Sequence, residues 1–168
     1  AVGPSDAVIN LNGLDISRGR WTPALKKKIV DSRFIPTRLL ARRISELEHK
    51  PRVLVSASAI GFYGDAGDTT LTESSPSGRC FISHVCRQWE KAAYESASAG
   101  IRTVLLRIGI VLTPAGGALS RMAPAFKAGC GVVLAHGRQY MSWISMDDLL
   151  AAVLHIIQSD KIHGPVNL

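Results

Sequence analysis

The chain has 168 residues, 46% of them hydrophobic and 20% charged, a globular composition that excludes disorder and collagen-like repeats. No apolar run approaches the roughly 18 residues of a membrane-spanning helix, and three cysteines without CxxC spacing fit reduced thiols better than a disulfide framework. The net charge of +7 lies wholly in residues 15–52, which hold 11 basic and 4 acidic side chains; the remainder is balanced. That surplus reads as the solvated face of a long helix, or as a surface for an anionic partner such as RNA. The opening AVGPSDAV lacks a basic-then-apolar pattern, so no signal peptide is expected, and without an initiator Met the chain reads as processed or as internal to a longer protein.

In chain order, DAVINL (6–11) predicts a buried strand ending at the Asn12-Gly13 turn. Residues 21–48 predict helix from Leu25, Ile29, Phe34, Leu40, Ile44 and Leu47, with a kink or two abutting helices at Pro36. RVLVSA (52–57) predicts a buried strand. Residues 79–98 predict a helix with Val85, Trp89, Ala92 and Ala93 on one face, ended by Gly100. IRTVLLRIGIVL (101–112) predicts one strand with an irregular exit. A helix over 118–128, short extended pieces near 132–134 and 140–144, a helix from Asp147-Asp148 to Gln158 and a last strand in GPVNL complete the pattern. Alternating strands and helices with continuous apolar strands predict a doubly wound parallel α/β sheet.

The motifs NLNG (10–13), RW (20–21), SR (32–33), SASAIGFYGD (56–65), WEKAA (89–93), LLRIGIVLTPAGGAL (105–119) and GRQYMSWISMDDL (137–149) occur in this order. Together they resemble the second half of an extended short-chain dehydrogenase/reductase domain of the NAD-dependent epimerase/dehydratase superfamily. The details resemble its "epimerase family" branch of bacterial and organellar proteins, labelled cell-division-inhibitor-like. The resemblance implies a Rossmann-like fold and an NADP or NAD cofactor. It also implies that 1–168 is one partial Rossmann-type domain without an internal linker, lacking an N-terminal βαβ portion and a C-terminal substrate region. The GxxGxxG turn that cradles the pyrophosphate in this superfamily does not occur in the sequence.

By the same resemblance, Asn10, Leu11, Asn12 and Gly13 form the turn beside the cofactor's ribose, although a plain strand-ending turn explains them equally. Ser56, Ala57 and Ser58 reach the carboxyl edge of the sheet, with Ser58 the candidate group on the substrate's carbonyl or hydroxyl and Tyr63 a second catalytic candidate. Arg33 stands where the superfamily commonly has an Asn, and its fork suits a phosphate. Arg107, Gly109, Ile110 and Val111 resemble the strand exit past the nicotinamide. Arg138 and Trp143 resemble the substrate side, and Asp147 or Asp148 reads as a helix-capping acid.

The acid/base Tyr-x-x-x-Lys pair is missing. Counting from Trp89-Glu90 puts Phe81 or Ile82 in place of the Tyr, and Val85 or Cys86 in place of the Lys. His84 is a remaining helix-borne acid/base candidate. The five histidines show no ligand spacing and GxSxG is absent, which argues against a metal site and a serine hydrolase. The functional expectation is an NADP(H)-binding oxidoreductase or epimerase-like protein acting on a small molecule. The alternative is a catalytically inactive scaffold in a larger complex, contacting RNA through 15–52. The expected compartment is the cytoplasm or an organelle matrix, mitochondrial or chloroplast.

Overall fold

A computed structural model describes residues 5–131, 133 and 137–168. Its elements in chain order are strand β1 (Ala7–Asn10), helix α1 (Pro23–Ser45), β2 (Val53–Ala59), α2 (Phe81–Tyr94), β3 (Arg102–Ile108), β4 (Ile110–Leu112), α3 (Gly117–Lys127), β5 (Trp143–Ser145), α4 (Met146–Gln158) and β6 (Gly164–Asn167). Short 3-10 turns follow β2 and α2, at Ile60–Phe62 and Glu95–Ala99.

Four strands form one parallel sheet in the order β1-β2-β3-β6. β2 and β3 are its centre, and each buries an unbroken run of side chains because both sheet faces are covered. Alternation along the strands sorts these side chains. Leu54 and Leu105 pack with Ile44 of α1 and Ala93 of α2, while Val53, Val55, Val104 and Leu106 pack with Ile156 of α4. Helices on both faces of a parallel sheet make the Rossmann-like, doubly wound architecture that the strand pattern predicted.

α1 starts at the Thr22 cap, whose hydroxyl accepts from the Leu25 amide at 3.3 Å, with Pro23 in the first turn. Of the two alternatives expected at Pro36, a kink or two abutting helices, the second does not hold: one helix runs through the proline. Ile29 before the proline and Thr37, Ala41 and Ile44 after it are all fully buried. One buried stripe therefore spans the proline, and packing holds the helix despite the missing amide hydrogen bond. α2 buries the predicted face of Val85, Trp89, Ala92 and Ala93 and ends through the 3-10 turn at Gly100, whose φ of 80° is left-handed.

The single strand expected over 101–112 is two strands in two sheets. Gly109 donates its amide to Leu168 O (2.6 Å), keeping step with the main sheet, while Ile110 donates to Ser142 O (2.8 Å). β4 then pairs with β5, Ile110 opposite Trp143. A Cβ at residue 109 would lie 2.8 Å from Ser142 O, so glycine is required by close approach of backbone, not by a left-handed φ. The helix after β5 is capped by Ser145 rather than by either aspartate. Its hydroxyl accepts from the Asp148 amide (3.0 Å), and the Asp148 carboxylate accepts from that hydroxyl in return (2.7 Å). Of the extended piece expected near 132–134, residues 132 and 134 lie outside the described residues.

Candidate functional site

The carboxyl ends of the four parallel strands share one edge, where open α/β sheets bind ligands. Register places Asn10 opposite Ser56, Ser58 opposite Arg107 and Arg107 opposite Asn167. Asn10, Ser56, Ser58 and Arg107 all lie on the α1/α2 side of the sheet, and each is buried. Two polar networks result.

The first is neutral. Asn10 Nδ2 donates to Thr37 Oγ1 (2.8 Å) and Ser56 Oγ (3.0 Å). Its Oδ1 accepts from the Asn12 amide (3.3 Å) and Asn12 Nδ2 (2.7 Å). Trp89 Nε1 also donates to Thr37 Oγ1 (3.1 Å). The Asn10 amide is thus saturated, and it pins the exposed Leu11-Asn12-Gly13 turn to β2 and both helices.

The second network is ionic. Arg107 grips Glu90 of α2 with both sides of its fork, Nε to Oε1 at 2.9 Å and Nη2 to Oε2 at 3.0 Å. Ser58 Oγ donates to the same Glu90 Oε1 (2.7 Å). Arg107 Nη1 donates to Tyr63 Oη (2.9 Å) and Glu73 O (3.0 Å), and Tyr63 Oη donates to Asn167 Oδ1 (2.6 Å). The guanidinium also lies 3.5 Å from the centre of the Phe62 ring. Burial works against the Arg107 charge, but Glu90 and Tyr63 outweigh it and raise its pKa. Glu73 is held below the usual carboxylate range, chiefly because its carboxylate accepts from the Asn167 amide (2.9 Å).

Sequence reasoning singled out Ser58, Tyr63 and Arg107 but not Glu90, which joins Ser58 to Arg107. The signal was available: Glu90 falls four residues after Cys86, within the stripe of Val85, Cys86, Trp89, Ala92 and Ala93. An acid there is a buried acid. Thr37 and Asn167 were also missed.

The remaining candidates fall into two places. Arg33, half-buried, stacks on Trp89 (5.0 Å from guanidinium carbon to ring centre) and adjoins Gly13, so it belongs to the β1–β2 end. Gly109, Ile110 and Val111 continue from β3 into the second sheet, beside Trp143. Trp143 and Arg138 are exposed, and His84 is on the solvent side of α2.

Ile82 and Cys86 are the α2 residues that meet the turn after β2. A Cβ at Gly61, in the turn after β2, would come 2.3 Å from Ile82 Cγ2 and 4.0 Å from Cys86 Sγ. Phe81 instead packs edge-on against Trp21, 5.4 Å between centres. Ile82 and Cys86 are therefore the pair facing the β2 exit, and both lack the chemistry. Burial, reinforced by Glu90, pushes the Cys86 thiol up to about 11. Among the described residues no cluster of His, Cys, Asp and Glu is placed to hold a metal ion.

In the basic segment, Arg38 and Arg42 both pair with Glu95 (2.9 and 3.0 Å), Arg43 pairs with Glu46 (2.9 Å) and Lys27 with Asp31. Among the described residues no helix is long and apolar enough to cross a membrane.

The residues at this edge fit a dinucleotide: an exposed turn fixed from below by Asn10, Gly13 packed against the Arg33 guanidinium, and close-packed backbone at Gly109. Comparison with known proteins agrees with the fold. An epimerase family protein of Mycobacterium bovis is 42% identical over 163 residues, covering 97% of this chain and 54% of that protein. The chloroplastic Arabidopsis thaliana homologue of epimerase family protein SDR39U1 is 42% identical over 165 residues, covering 97% of this chain and 47% of its own. The crystal structure of human epimerase family protein SDR39U1 (isoform 2) with NADPH superimposes with a TM-score of 0.93 at 31% identity, covering 99% of this chain and 57% of that one. UDP-glucuronic acid 4-epimerase from Bacillus cereus, at 17% identity and a TM-score of 0.78, shares the fold. The chain spans about half the length of the curated relatives it matches. The NAD dependent epimerase/dehydratase family matches residues 2–168, and the chain belongs to that family.

Proposed function

We propose that the protein binds NADP(H) at the carboxyl edge and acts on a small carbonyl or hydroxyl substrate beside Ser58. The observation that carries this reading is the Ser58–Glu90–Arg107 arrangement at the end of β2 and β3. When bound, the cofactor would supply or accept a hydride. The Asn10–Gly13 turn and the Gly109–Val111 backbone would hold it, with Ser56 and Ala57 supporting from below. The Ser58 proton is committed to Glu90, so Ser58 meets substrate through its oxygen lone pairs and accepts from a substrate hydroxyl. As a substrate hydroxyl gave its proton to Ser58 Oγ, Ser58 would hand its own proton to Glu90 Oε1, which Arg107 fixes. Tyr63 and Asn167 hold Arg107 in place from the far side. The similarity to an NADPH-bound human relative supports the choice of NADP(H) over NAD.

Titrating the intact protein with NADPH and following nicotinamide fluorescence tests the reading. Binding below millimolar is expected, and none at millimolar would remove it. Ser58→Ala should then leave NADPH affinity unchanged and cut turnover by roughly 10²–10⁴-fold.

A second reading rests on Ile82 and Cys86, which supply no titrating pair at the β2 exit. In it the protein is a catalytically silent scaffold of a larger assembly, with segment 15–52 contacting protein or RNA. It predicts NADPH binding without turnover and co-purification with that assembly. A chloroplastic relative supports an organelle matrix as one compartment, beside the cytoplasm.

A further inference from the structure

The segment 63–78 leaves the end of β2, crosses the end of β3 and reaches β6. It is closed at its base, where Gly78 donates its amide to Phe62 O (2.9 Å). At its tip, Ser75 donates its amide to Thr72 O (3.0 Å) and accepts from the Thr72 amide at its hydroxyl (2.9 Å). The result is a tight turn with Glu73 and Ser74 at its centre. Glu73 is exposed, and it reaches the sheet with two different acceptors. Its carbonyl oxygen takes Arg107 Nη1 (3.0 Å), and its carboxylate takes the Asn167 amide (2.9 Å).

These two contacts lead to both halves of the proposed site. Arg107 holds Glu90, which in turn holds Ser58. Asn167 is the last residue of β6, the outermost strand beyond β3. Leu168 donates its amide to Arg107 O (3.2 Å), so by alternation the Asn167 amide points away from β3, where no strand pairs with it among the described residues. Glu73 supplies the acceptor that a further strand would have offered. Tyr63 Oη meanwhile holds the Asn167 side chain (2.6 Å). The next carbonyl, Leu168 O, accepts the Gly109 amide (2.6 Å). A run of hydrogen bonds therefore leads from a surface carboxylate, through Asn167 and Leu168, to the Gly109 peptide.

We propose that Glu73 is a positioning residue, fixing the end of β6 so that Leu168 holds the Gly109 peptide where the nicotinamide half of the cofactor would pass. This rests on the cofactor reading above and adds a residue to it. Glu73 acts through Leu168 and needs no contact of its own with cofactor or substrate. Because its bond to Asn167 is exposed, water replaces it at little cost to the fold. The loss falls instead on the setting of one peptide.

The test compares intact wild type with Glu73→Ala and with Glu73→Gln, whose amide oxygen can still accept from Asn167. Hydrogen exchange is read at the Gly109 amide and, as a control, along β2. Glu73→Ala should speed exchange at Gly109 by roughly tenfold with β2 unchanged, and Glu73→Gln should return it to about wild type. Each protein is also titrated with NADPH and with adenosine 2′,5′-bisphosphate, which carries the adenosine end of NADPH without the nicotinamide. Glu73→Ala should weaken NADPH roughly tenfold and leave the bisphosphate within about threefold of wild type, with NADPH affinity regained in Glu73→Gln. Faster exchange in β2 as well, or equal losses for the two ligands, would make Glu73 a general stabiliser of the fold and overturn the proposal. Unchanged exchange at Gly109 would overturn it too, as would faster exchange there with NADPH affinity intact. A wild type that binds neither nucleotide sinks the cofactor reading, and exchange at Gly109 then decides by itself whether Glu73 sets that peptide.

Discussion

Two networks tie the same sheet edge to α2, the first reaching α1 as well, and they use opposite chemistry. At the β1–β2 end, Asn10, Thr37, Ser56 and Trp89 are joined by neutral hydrogen bonds. At the β2–β3 end, Ser58, Glu90, Arg107 and Tyr63 are joined around a buried ion pair. Both are largely buried, so neither gains much over an apolar filling of equal shape. Their difference lies in what remains when one member is removed. A broken neutral network leaves an amide or indole donor unpaired; a broken ionic one leaves a whole charge in the core. The ionic end is therefore the one that tolerates least change.

The sharpest way to break that contrast is Glu90→Ala, which strands Arg107 beside Ser58. It should cost ~3–5 kcal/mol by denaturant unfolding; a cost equal to that of the neutral-network variants would erase the distinction. Thr37→Val removes the shared acceptor of Asn10 and Trp89 while keeping side-chain shape, and should cost ~1–3 kcal/mol.

A smaller effect is expected from Cys86, which lies between the two networks. Its pKa rises from the ordinary 9.0 to about 11 on folding, so the folded state binds the proton more tightly. That stability is complete below pH 9 and drains away as pH rises toward 11. Cys86→Ala should flatten this part of a stability-versus-pH curve, and an unchanged slope would show that the thiol is not desolvated as the fold implies. Smallest of all, Arg43→Ala removes an exposed pair with Glu46, and its melting temperature should match wild type within error.

The contrast also explains what was legible in the sequence. Strand β2 and helix α2 follow from apolar continuity and periodicity, because burial leaves that trace directly; β1 is a strand as expected but not a buried one, since it is an edge strand with Ile9 exposed. The division at Gly109 did not show, since Ile108, Ile110 and Val111 are equally apolar on either side of it and only a backbone contact with Ser142 separates the sheets. At Pro36 local propensity left a kink or two helices open, and the buried stripe from Ile29 to Ile44 keeps the segment one helix. At the site, Ser58 and Tyr63 were found as chemistry-bearing residues near a strand end. Glu90 was read past because a helical glutamate ordinarily faces water, and its partner Arg107 lies seventeen positions away. A long-range ion pair leaves no local pattern.

Gly109 carries one more consequence. Its amide hydrogen belongs to the main sheet and the next amide, on Ile110, belongs to the small one. Two adjacent protons thus clock the opening of two separate bodies. Hydrogen exchange at this single peptide step would read the stiffness of the four-stranded sheet against that of the two-stranded one, and any slippage between them must pass through one residue that has no side chain to resist it.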